Sequence, residues 1–156
     1  GGTAARVRLF LPGPALDALA LLVAFPELAA VAEEENLPGL LPDGPLADLA
    51  RALIREPVAL EEALARIAAV AEEPTLRRIR EVAGAGRPPQ EHVERELRKN
   101  AVKASIEAVR AEYDRLLAAV AQKGTPVPED LATAVQIAKR RRADLDRRLR
   151  SLERPG

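Results

Sequence analysis

The chain's thirteen prolines are unevenly spread, and their placement constrains the fold more than any other feature. Ten lie at or before Pro89, and none falls between Pro89 and Pro126. Proline removes a backbone donor and clashes with the preceding turn, so helix interiors exclude it. The first part of the chain can therefore form only short helices. From Gln90 to Gln122 there is neither proline nor glycine, so one helix of about 33 residues, roughly 50 Å long, is open to it. Thirty-one alanines and 23 leucines, with aromatics at 2%, favour helix over sheet throughout. The expected fold is all-α: a compact helical bundle followed by a long antiparallel two-helix hairpin.

Within the bundle, Pro14 suits a first helical turn and Ala15 to Phe25 follows, with Leu16, Leu19, Leu22 and Val23 at helical spacing. Pro26 ends that helix and opens another, Glu27 to Glu35, whose Leu28, Val31 and Ala32 share a face. Asn36 ends it, and Leu37-Pro38-Gly39 reads as a loop. Asp43-Gly44-Pro45 announces a third helix, Leu46 to Arg55. A fourth runs from Val58 to Glu72 with Leu60, Leu64, Ile67 and Val70, and a fifth from Glu73 to Ala83. Short amphipathic helices of this kind are not stable singly and must pack on one another. Gly84 to Pro89 reads as a hinge.

Beyond the hinge, Val102, Ile106, Val109, Tyr113, Leu116 and Val120 alternate by four and three. Val93, Leu97, Ala101 and Ala104 form a second stripe, expected to face the bundle. After a Gly124-Thr125-Pro126-Val127-Pro128 turn, Glu129 to Leu152 carries a seam of Leu131, Val135, Ala138, Leu145, Leu149 and Leu152, with Arg142 in one slot. This pattern predicts two antiparallel helices. The expected division is a tail over 1–13, a bundle over 14–88 and a hairpin over 89–156.

Chemistry is sparse. Without cysteine there is no disulfide, thiolate zinc site or thiol nucleophile, and one histidine, His92, rules out a two-histidine metal site in one chain. His92 has Glu91 beside it and Glu96 one turn on, which reads as an ordinary surface pairing. Glu33-Glu34-Glu35 reads as a solvated acidic terminus. Ser105 and Ser151 sit in no nucleophile setting, and Gly84-x-Gly86 lacks the Lys-Ser/Thr of a phosphate loop. No cofactor or metal is expected, and the chain is read as non-catalytic. No apolar run exceeds the eight residues from Ala18 to Phe25, so a membrane span is not expected. With no initiator methionine, the chain is expected to be a fragment of something longer, and cytoplasmic.

Charge divides the chain: residues 1–75 hold five Arg and twelve Asp/Glu, and residues 76–156 hold nineteen Lys/Arg and twelve Asp/Glu. Lys139-Arg140-Arg141-Arg142, continued by Arg147, Arg148 and Arg150, is the one feature pointing to nucleic acid. Asp144 and Asp146 interrupt it and no aromatic lies nearby, so a charged helix face or protein contact is the preferred reading, with Arg140 and Arg141 open to pairing with Glu107 or Glu112 across the hairpin. The hairpin tip offers Leu117, Val120, Val127, Leu131 and Ile137. Ile137 falls outside the seam and has no intramolecular partner in the pattern, so these five are the candidate partner-binding residues.

The order of these elements resembles a known family. Ala15 to Leu28, with its Phe25-Pro26-Glu27-Leu28 break, looks like the first two helices of the C-terminal helicase-binding domain of bacterial DnaG-type primases. The helices Leu46 to Arg55 and Val58 to Val70, and the long helix returning through a second to Leu152, follow the same order. The resemblance implies a non-catalytic domain that docks primase onto the N-terminal collar of the hexameric replicative helicase during DNA replication. It would modulate helicase and primer synthesis, with the zinc-binding and polymerase domains lying upstream. The hairpin would make the main contact, which places the five tip residues at that interface. Two alternatives stay open: the N-terminal domain of the replicative helicase, similar in fold, and an unrelated helical adaptor or nucleic-acid-binding module.

Overall fold

Leu19, Leu22, Leu28, Leu37, Leu46, Ile67 and Ile79 are almost wholly removed from solvent, and the short helices that carry them pack into one core. The computed structural model describes residues 13–154, in which eight α-helices and no strand occur. They are α1 (Gly13–Ala24), α2 (Ala29–Glu34), α3 (Leu37–Leu40), α4 (Pro45–Arg55), α5 (Leu60–Ala68), α6 (Glu73–Gly84), α7 (Gln90–Lys123) and α8 (Glu129–Glu153). The expected tail over 1–13 lies, apart from Gly13, outside the described residues. Contacts divide the chain into two units, Gly1–Ala101 and Val102–Gly156.

In the first unit α1 is the centre. Ala15, Ala18, Leu19, Ala20, Leu22 and Val23 are all buried, a distribution that leaves little of the helix for water. α1 pairs most extensively with α6 and also touches α3 and α5, while α4 packs on α2, α3 and α5. Three alanines on α1 allow neighbouring backbones to approach closely. Arg78 of α6 donates to Asp17 of α1 at 2.8 Å. That hydrogen bond, then the carboxylate's charge, holds the Arg78 guanidinium above its ordinary pKa.

Two expectations are corrected here. Leu37-Pro38-Gly39 is a one-turn helix rather than a loop, with Leu37 and Pro38 buried. Its start is set by Asn36, whose left-handed backbone (φ 52°) ends α2 as the sequence indicated. A side chain on Gly39 would come within 2.4 Å of the Asn36 amide. The fourth helix spans only Leu60–Ala68, because Ala59 is extended and Ile67 O accepts from both Val70 N and Ala71 N, closing the helix. Val70 consequently lies exposed instead of on a buried face. Val93, Leu97 and Ala101 of α7 are buried and cluster by contacts with the first unit.

The hinge segment after α6 is tied to the first unit through Arg87, which pairs with Glu27 and lies 5.7 Å from the centroid of the Phe25 ring. The second unit consists of the rest of α7, the turn and α8. Val102, Ile106 and Leu145 form its buried cluster, with Val109, Leu149 and Leu152 packed against it. Early α7 residues meet late α8 residues, and Leu116 lies beside Ala134, so the helices run antiparallel. α7 ends at Gly124, whose φ of 72° suits glycine, and Gly124 N donates to Val120 O at 3.2 Å.

Leu19→Ala is expected to lower stability by about 2–5 kcal/mol in urea unfolding, because it empties fully enclosed volume. Val70→Ala, on a residue the sequence alone would have placed inside, should change it by less than about 0.5 kcal/mol.

Candidate functional site

A two-helix hairpin has one seam to bury, and this one fills it unevenly. The buried seam residues Val102, Ile106 and Leu145 lie toward the end away from the turn, with Ala138 midway. Nearer the turn, Leu116, Val120, Leu131 and Val135 are only half-buried. Two large hydrophobic side chains are exposed outright: Leu117 at 43% and Ile137 at 64%. Three such side chains are exposed among the described residues, Val70 being the other, so the hairpin holds most of this surface.

Ile137 lines a groove of about 280 Å³ between the helices, with Val109, Glu112 and Leu116 from α7 and Ala134 and Arg141 from α8. It also borders the outer face of α8 with Thr133, Gln136, Arg140, Asp144 and Arg147. Leu117, Val120, Val127 and Leu131 line neither surface; Val120, Val127 and Leu131 are half-buried nearer the turn. Ile137 stands eight residues into α8, about 12 Å along it, and so belongs to the hairpin's flank more than to its tip. Leu116, Ala134 and Arg141 are groove residues that sequence reasoning missed. The four-residue spacing of Ile137 and Arg141 on one helix carried that signal.

Electrostatics sharpen the picture. Arg142, in its seam slot, donates to Asp146 at 3.2 Å, and Arg147 pairs with Asp144. Both interrupting acids are thus engaged within α8. The pairing of Arg140 or Arg141 with Glu107 or Glu112 is not formed. Glu112 pairs instead with Arg115, one turn along its own helix, a shorter and entropically cheaper contact. Lys139, Arg140 and Arg141 are exposed and make no ion pair among the described residues.

His92 is exposed and borders, with Phe25, Arg78 and Glu96, a cavity of about 300 Å³; Glu96 accepts from Lys99 at 3.3 Å. The acidic run at the end of α2 is not fully solvated. Glu35's side chain is only 3% exposed, and Arg98 of α7 contacts Glu34 and Glu35 at 2.8 Å each. A carboxylate at a helix C-terminus faces the negative end of the dipole, and this guanidinium offsets that penalty. Burial lowers the Arg98 pKa, but the hydrogen bonds and charges of Glu34 and Glu35 more than offset it, so the net shift is upward. A raised cation pKa gives stability below the ordinary arginine value that is lost only above it, so Arg98 acts across the whole neutral range. No group of three or more His, Asp or Glu side chains placed to hold a metal ion occurs among the described residues. No single helix among them is long and apolar enough to cross a membrane.

Comparison with protein-family models, curated proteins and solved structures found no match to this chain.

Arg98→Met should destabilise the first unit by about 2 kcal/mol at neutral pH, read by thermal or urea unfolding. An unchanged midpoint would show that this pair contributes nothing net.

Proposed function

We propose that this chain is the non-catalytic helicase-interaction domain of a bacterial DNA primase, docking primase onto the N-terminal collar of the replicative helicase. The observation that carries this reading is the apolar surface the hairpin leaves open: Ile137 and Leu117 exposed, and the turn-proximal seam only half covered. Helices of a water-soluble surface keep such side chains exposed at little cost singly, but their concentration on one element is what docking elements display. The order of elements supports the same assignment, since a bundle opening with the Phe25-Pro26-Glu27-Leu28 break is followed by a helical hairpin, as the primase resemblance implies.

In this role the bundle is a scaffold and the hairpin the contact. The zinc-binding and polymerase chemistry of the parent enzyme would belong to segments upstream. α7 contributes residues to both units, its first turns to the bundle core and its later ones to the hairpin.

The test is direct. Mixed with the replicative helicase of the same genome, the chain should co-elute on size-exclusion chromatography. Leu131→Asp and Ile137→Asp together should weaken the complex by more than about ten-fold while leaving the circular dichroism spectrum unchanged. Separate elution of the wild-type chain and the helicase refutes the assignment, and full binding by the double variant refutes the site.

A further inference from the structure

The flank of α8 combines two features that neither the seam nor the fold requires. Ile137 is 64% exposed and lines the groove of about 280 Å³ between the two helices. Within the next turn, Lys139, Arg140 and Arg141 carry charges that no acid among the described residues neutralises, whereas Arg142 and Arg147 have theirs matched by Asp146 and Asp144. The local surplus is therefore positive and sits immediately around the bare hydrophobic side chain.

We propose that this flank binds an acidic amphipathic helix of a partner protein, with Ile137 and the Leu116–Ala134 groove taking its apolar stripe and Arg140 and Arg141 pairing with its carboxylates. The inference rests on the preceding reading only in taking the hairpin as a docking element; it does not require that the partner be a helicase. Charge complementarity selects the occupant. An apolar stripe alone would fit many helices, but three uncompensated cations beside it repel basic partners and attract acidic ones. A groove bounded by two antiparallel helices runs along their axes, which suits a third helix better than an extended strand.

Two other occupants fit less well. Single-stranded nucleic acid gains its affinity from stacking on aromatic rings as well as from cations, and the sole ring on the hairpin, Tyr113, is half-buried in a neighbouring groove beside Arg110 and Arg142. An anionic membrane surface requires a broad apolar face, but Ile137 is flanked on α8 by Thr133, Ala134 and Gln136.

The experiment titrates the full chain, at low salt, with a fluorescent synthetic helical peptide bearing leucines four residues apart flanked by glutamates. A twin peptide with lysine in place of every glutamate and an oligo-thymidine strand serve as the other probes. The acidic peptide should bind at least about ten-fold more tightly than its lysine twin. Arg140→Glu with Arg141→Glu, and separately Ile137→Asp, should each weaken it about ten-fold with unchanged helicity, as these side chains are exposed. Equal affinity for both peptides, or binding of neither, overturns the proposal. So does oligo-thymidine binding that the double arginine variant abolishes, or self-association of the chain that Ile137→Asp abolishes. Helicase co-elution together with equal affinity for the two peptides refutes this proposal and leaves the primase assignment intact. Selective acidic-peptide binding without helicase co-elution does the reverse.

Discussion

One helix has to satisfy two cores. α7 runs unbroken from Gln90 to Lys123, yet its apolar residues do not keep to one face. Val93, Leu97 and Ala101 are buried in the first unit, and from Val102 onward the stripe moves round by one residue to Ile106 and Val109, which serve the second. Adjacent positions on an α-helix point about 100° apart, so the step from Ala101 to Val102 transfers burial from one face to another. The bundle is closed by the first stripe, and the hairpin exists because the second needs α8.

The distribution of burial follows from that arrangement. The large apolar side chains of the bundle come from several helices converging on α1, so many of them lose all contact with water. The hairpin has only two helices, and two cylinders can enclose only the side chains directly between them. Its buried cluster is three residues, and apart from Ala138 everything nearer the turn is half covered at best. The open surface around Ile137 is thus a geometric consequence of building a unit from two helices, and any function the hairpin has draws on it.

Much of this was legible in the sequence because proline and glycine act locally. Pro26, Pro45, Pro74 and Gly124 mark helix boundaries in the structure to within a residue or two, and the long proline-free stretch is the long helix. Asn36 was readable as a stop for a similar reason, since its left-handed conformation is a single-residue property. The exposed position of Ile137 was readable too, because a residue off a heptad seam has nowhere to be buried on a two-helix unit. What misled was context: Leu37-Pro38-Gly39 has loop composition, but Leu37 and Pro38 are buried, and a single helical turn satisfies their backbone.

Local chemistry therefore determined, from the sequence alone, that the chain is helical, where most helices start and stop, and which side chains line each stripe. Tertiary structure alone decided what faces what. Arg98 reaches Glu35 across 63 positions of sequence, Glu112 is taken by Arg115 instead of a cation on α8, and the groove beside Ile137 draws on both helices of the hairpin. The physical reason is range: turn and helix preferences are fixed by bonds within four residues. Pairing of charges and closure of grooves depend instead on which surfaces the whole chain brings together, and no local pattern encodes that.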